Sequence, residues 1–96
     1  MQTISIKSSS PEKTIPLLAN AIERERRIVM DSLKTTRGRV ESLARDLGVD
    51  VDKLMQGEVE HADVDDMKLI ELEGEAEILK HLESELKALE SLEICG

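Results

Sequence analysis

The dominant signal in the chain is a spacing. Ile15, Ala19, Ile22, Arg26, Val29, Leu33, Thr36, Val40, Leu43 and Leu47 follow one another at alternating steps of four and three residues. Such a seven-residue repeat gathers its side chains on one stripe of an α-helix, the seam of a coiled coil or bundle. Eight of the ten are apolar, and Arg26 and Thr36 are the polar members. The stem of Arg26 can lie along the seam with its head in water, or its charge can set register and partner choice. Leu17, Leu18, Ile28 and Met30 widen the stripe toward the N-terminal end, and a wide stripe favours a bundle over a two-stranded coil.

The spacing recurs in Leu72, Glu75, Leu79, Leu82, Leu86, Leu89 and Glu93, with Ile78 and Leu92 beside it. It predicts a helix over about 63–93, with Asp63 as cap. The first helix is expected over about 15–47. Ser10 with Pro11 offers one start and Thr14 with Pro16 another. Pro16 lacks a backbone donor, which places the start near residue 15, and Gly48 is the terminator. Residues 48–62 form the connection, where Asp50 or Asp52 caps a short turn through Lys53, Leu54 and Met55 that Gly57 ends. Residues 1–14 read as an extended segment and linker. In it Ile4 and Ile6 share one side of a stretch that cannot stand alone as a strand; it is read as a loose tail, with pairing to its copy in a dimer as the alternative. Gly38, behind Thr35, Thr36 and Arg37, is the weak point of the first helix, since an interior glycine costs about 1 kcal/mol against alanine. Gly74 is a second.

Two helices of about 30 residues, roughly 45 Å each, joined by a compact connection predict an all-α fold. The expected form is a long antiparallel helical hairpin, coiled-coil-like. Its apolar faces are too wide for one pair of helices to cover, so two hairpins are expected to join as a homodimeric four-helix bundle, or a higher even oligomer.

Composition sharpens this picture. The 96 residues make one small domain, and the chain has no Phe, Tyr or Trp. Burial must therefore be spread over many aliphatic contacts, which suits helix seams and does not suit base- or sugar-stacking sites. A chain this short usually needs a disulfide, a metal or a partner. The single cysteine, Cys95, excludes an internal disulfide. No apolar run approaches the roughly 20 residues of a membrane span, and no segment reads as a secretory leader; the expected location is the cytoplasm. Charge is divided unevenly. Residues 1–49 carry nine Lys/Arg and six Asp/Glu, net +3, and residues 50–96 carry four Lys and fifteen Asp/Glu, net −11. Halves of opposite sign favour folding back on each other over wrong pairings.

Candidate chemistry is sparse. There is no Gly-rich phosphate loop, no Cys/His metal framework and no nucleophile elbow. His61 and His81 lie in charged stretches without a serine partner. The chain is read as non-enzymatic and without a cofactor. Glu58 and His61 have the Glu-x-x-His spacing that carboxylate-bridged metal bundles place on one helix face, with Glu23 or Glu25 as an added ligand. That pair falls in the connection, where a solvated acidic loop is the simpler account. Glu77, His81 and Glu85 likewise read as a wet helix face.

The segment Leu43-Ala44-Arg45-Asp46-Leu47-Gly48-Val49-Asp50-Val51-Asp52-Lys53-Leu54 resembles a helix-turn-helix. Ala44 and Gly48 stand where the helices would cross, and Leu47 and Leu54 where they would touch. The resemblance implies a small nucleic-acid-linked regulator, antitoxin- or repressor-like, with its motif at 37–57. It departs from the pattern at Gly57, where an apolar residue belongs, and at Asp50, Asp52 and Glu58, which repel phosphate. A surface for an anionic partner is drawn from Arg24, Arg27, Lys34, Arg37, Arg39 and Arg45, but no aromatics interleave with them. A continuous helix through residues 35–40 favours the hairpin; a sharp turn there favours the regulator.

The preferred reading is thus a self-associating helical interaction protein. Its partners are itself and another protein, with no membrane, and nucleic acid is the disfavoured alternative. Its interaction seam is Ile22, Val29, Leu33, Val40, Leu43, Leu47, Leu79, Leu82, Leu86 and Leu89.

Overall fold

The computed structural model describes residues 2–58 and 66–94. They form three helices, α1 (Pro11–Leu47), α2 (Val51–Met55) and α3 (Asp66–Glu90), and no strand among the described residues. The fold is all-α. The expected cap at Asp63, residue His61 and Cys95 lie outside the described residues.

α1 begins four residues before the expected start. Pro11 stands in the first turn, where a missing N–H is no loss, and the Ser10 carbonyl accepts the N–H groups of Lys13 and Thr14, both at 3.0 Å. Ser8 ties the entry down: its hydroxyl accepts the Ser10 N–H at 3.0 Å and lies 2.6 Å from the Thr14 hydroxyl. Pro16 is carried inside the helix. It gives up one hydrogen bond, to the carbonyl one turn back, and the helix runs on through it. α1 also passes Gly38 without a break. Residues 2–9 precede the helix as exposed chain without regular structure.

Both exits from helix into connection turn on a glycine. Gly48 has φ +67° and Gly57 has φ +74°, the left-handed region that glycine enters without a Cβ clash. At the first, the Val49 N–H donates to the Ala44 carbonyl at 2.8 Å and the Gly48 N–H to that of Arg45 at 3.2 Å. This is the bonding of a Schellman motif, which satisfies carbonyls that the helix end leaves over. The second repeats the pattern, with Glu58 donating to Lys53 at 2.9 Å. Between them the Asp50 carboxylate caps α2 by accepting the Asp52 N–H at 2.9 Å.

α1 and α3 lie side by side in opposite directions. Arg39 faces Glu75, Arg37 faces Glu83, and Arg26 feels the charge of Glu90. At 1.5 Å per residue, α1 is about 55 Å long and α3 about 37 Å, within an envelope of 61 × 23 × 17 Å. With Arg37 opposite Glu83, and α1 reaching back to Pro11 while α3 ends at Glu90, the first turns of α1 run past the end of α3.

The core sits toward the connection. Val40 and Ala44 of α1, Leu54 of α2, and Leu69, Leu72, Ala76 and Leu79 of α3 form one buried cluster. Leu33, Leu43, Leu47, Val49, Val51 and Met55 pack around it. Each fully buried Leu or Val contributes about 1.5–3 kcal/mol. The five-residue α2 earns its place through Leu54, which plugs the end of the helix pair. Farther from the connection, Val29 and Thr36 are still buried, but Leu82, Leu86 and Leu89 are only half-buried.

Candidate functional site

The heptad seam explains the side of α1 that meets α3. It does not explain the flank next to it. A shallow open groove of about 430 Å³ runs between the helices, lined by Thr35, Gly38, Arg39, Ser42 and Leu43 of α1 and by Glu71 and Glu75 of α3. A second hollow of about 310 Å³ continues it along Asp31, Ser32, Thr35, Thr36 and Arg39. These linings establish which flanks of the two helices open on the same side. Stepping back from Thr35 by helical turns reaches Ile28, Ala21 and Leu17. Stepping forward from Glu71 reaches Gly74, Ile78, Leu82, Glu85 and Leu89.

One broad side of the helix pair therefore carries an apolar row on each helix. Leu17, Ile28 and Ile78 expose 67%, 52% and 50% of their surface on it, and half-buried Leu43, Leu82 and Leu89 lie inward of them. Scattered exposed aliphatics are ordinary on a protein surface; a row that recurs on adjoining flanks of two helices is the form an interaction face takes. The face is low at its middle, where Ser32, Gly38, Ser42 and Gly74 carry little or no side chain. A Cβ added at Gly38 or Gly74 meets nothing within 4 Å, so packing within the chain does not require either glycine. Each costs the helix about 1 kcal/mol.

Charge frames the seam on both sides. Arg37 and Arg39, two residues apart, point to opposite flanks of α1. Arg37 Nη2 lies 3.1 Å from Glu83 Oε1, and Arg39 Nη1 lies 3.9 Å from Glu75 Oε1 on the groove side. Glu75 is the polar member of the α3 seam. Its other oxygen, Oε2, is buried without a hydrogen-bond partner, which costs on the order of 1–3 kcal/mol. Along the open end, the Arg26 guanidinium grips Glu23 through Nε to Oε2 at 3.0 Å and Nη2 to Oε1 at 2.7 Å. Its Nη1 lies 3.3 Å from Met30 Sδ. The hydrogen bond from Arg26 holds the Glu23 carboxyl below its ordinary range, and Glu23 in turn raises Arg26. Arg26 thus meets the seam as a stem alongside it with its head in an exposed pair on its own helix.

The residues expected to form an interaction seam divide by depth. Val29, Val40 and Leu79 are buried; Ile22, Leu33, Leu43, Leu47, Leu82, Leu86 and Leu89 are half-buried. Ala44, Leu69 and Ala76 are core residues that the three-four spacing passed over. The basic residues divide too. Arg37 and Arg39 are taken up by α3 carboxylates and Arg27 lies 3.6 Å from Glu23, whereas Arg24, Lys34 and Arg45 are exposed without an ion-pair partner among the described residues. Glu58 is exposed at the edge of the described connection, and the proposed pairing with His61 lies outside it. His81 Nε2 is 2.6 Å from Glu85 Oε1, while Glu77 Oε1 turns to Lys80 at 3.2 Å. Among the described residues, no three His, Cys, Asp or Glu side chains cluster as metal ligands do, and no helix is long and apolar enough to cross a membrane.

The helices and their open face define an elongated all-α protein with an incompletely covered apolar surface. Compared with known proteins, the chain matches no protein-family model, no curated protein and no solved structure at a significant level.

Proposed function

We propose that the chain is a non-catalytic, self-associating helical interaction protein. It is a coiled-coil-like hairpin that pairs with a copy of itself into a four-helix bundle and offers its outer charged surface to a protein partner. The observation that carries this reading is the apolar row through Leu17, Ile28 and Ile78, backed by half-buried Leu82 and Leu89. A 96-residue chain without aromatics or an internal disulfide has little reserve against leaving such a row in water. The exposed cations Lys34 and Arg45, away from the apolar row, are the candidate contacts for an acidic partner.

The helix-turn-helix reading loses ground on two observations. α1 runs unbroken through Gly38, and the segment that would read a groove is the five-residue α2, opened by Asp50 and Asp52. Neither suits phosphate.

Sedimentation equilibrium at micromolar concentration tests the reading. It expects a mass of twice 10.7 kDa or a higher even multiple. A folded, heat-stable monomer overturns it. Capture from the native host followed by mass spectrometry then identifies the partner.

A further inference from the structure

We infer that a second copy of this chain covers the face through Ile28 and Ile78, with α1 of each copy lying over α3 of the other. The inference rests on the self-association proposed above and names its surface and its arrangement. Two two-fold axes can bring the same face of two helix pairs together. An axis parallel to the helices sets α1 over the partner's α3 and brings both connections to one end. An axis across the helices sets α1 over α1 and α3 over α3, with the connections at opposite ends.

Charge chooses between them. α1 carries eight Lys/Arg and six Asp/Glu, whereas α3 carries three Lys and eight Asp/Glu. Stacking α3 on α3 would oppose two acidic helices, with Glu71 and Glu85 of each copy on the meeting flanks. Stacking α1 on α3 instead sets the row with Arg24 and Arg39, which carries one carboxylate between them at Asp31, over the row with Glu71 and Glu85. Both axes leave every neighbouring helix antiparallel, so helix direction does not choose between them. Like charges opposed across an interface select against the wrong arrangement more strongly than matched charges add affinity. The apolar contacts are the same kind in both cases, so the ionic pattern decides.

The occupant is a second copy for the same reason. The face joins a helix of slight net positive charge to a strongly acidic one, and a two-fold copy sets each over its opposite. Small side chains at Ser32, Gly38 and Ser42 let its helices come close to the α1 backbone.

Two measurements test this. Ile28→Glu and Ile78→Glu alter side chains that are half exposed in the single chain, so each variant is expected to keep its helix content by circular dichroism while its dimer dissociation constant rises at least about tenfold. Spin labels on Gln56→Cys, in a Cys95→Ser background, are expected within about 30 Å of each other across the dimer. Connections at opposite ends would hold them about 40 Å or more apart, given the helix lengths. A dimer that is indifferent to both glutamates overturns the choice of face and leaves self-association standing. A weakened dimer with distant labels overturns the stacking of α1 on α3. A wild-type monomer removes both the inference and the reading beneath it.

Discussion

Arg37 and Glu83 meet at 3.1 Å across the two long helices while separated by 46 positions in the chain. With Arg39 and Glu75 on the other flank, the pair marks the sliding register of α1 against α3. Both partners are substantially exposed, so the energy involved is small, about 0–1 kcal/mol. Arg37→Glu is expected to lower stability by no more than about 1 kcal/mol, and the exchange Arg37→Glu with Glu83→Arg to restore most of it. Urea denaturation of the four members of this cycle measures the coupling. A loss several times larger in the single variant would contradict a screened surface pair.

Truncations in the seam are expected to rank by depth. Leu69→Ala and Leu72→Ala remove side chains with no exposed surface and are expected to cost about 2–5 kcal/mol. Leu82→Ala, half-buried in the single chain, is expected to cost less in a monomeric reference. If a copy covers it, the cost grows with protein concentration. Thermal melts at two concentrations a hundredfold apart separate the two contributions.

The glycines divide by backbone. Gly48→Ala places a Cβ at φ +67° and is expected to destabilise by about 1 kcal/mol. Gly38→Ala lies in an α-helix with open space around the new methyl and is expected to stabilise the single chain by up to about 1 kcal/mol. Opposite shifts in midpoint are the expected result; shifts of the same sign would contradict the helical geometry at one of the two positions.

The Glu23–Arg26 pair gives a pH signature. A carboxyl whose folded pKa is lowered adds stability that is complete above its unfolded value and is lost as pH falls through the folded one. Glu23 is lowered from 4.5, chiefly by the hydrogen bond from Arg26. Wild type and Glu23→Gln should therefore differ at neutral pH and converge in acid below that value. Melting curves at stepped pH check the convergence. A difference that widens in acid would reverse the sign of the coupling.

Much of the architecture was legible in the residues because a three-four repeat leaves α-helices little choice of facing side. Val29, Thr36 and Val40 lie buried where the repeat puts them, and Gly48 and Gly57 end their helices as glycine's freedom suggests. Ala44 and Ala76 escaped the seam because alanine is silent in a pattern built on large side chains, yet both are buried in the core. The start at Pro11 escaped because Pro16 argued for a later one; a single lost hydrogen bond did not outweigh a whole additional turn tied down by Ser8. The open groove face was legible only as extra apolar width at Leu17, Ile28 and Ile78, not as one shared side. It depends on which flanks of two helices share a side, and that follows from the register between them, a relation held by side chains as far apart in sequence as Arg39 and Glu75.

The burial gradient has a kinetic meaning. Because the aliphatic cluster gathers around Leu54 and thins toward Arg26, the ends of α1 and α3 farthest from α2 should fray first. Amide protons near Val40, Ala44, Leu72 and Ala76 are expected to exchange most slowly with solvent deuterium, and those of the first α1 turns most rapidly. Whatever closes over the open end would act there as a latch, slowing exchange in the tips while leaving the amides around Leu72 and Ala76 unchanged.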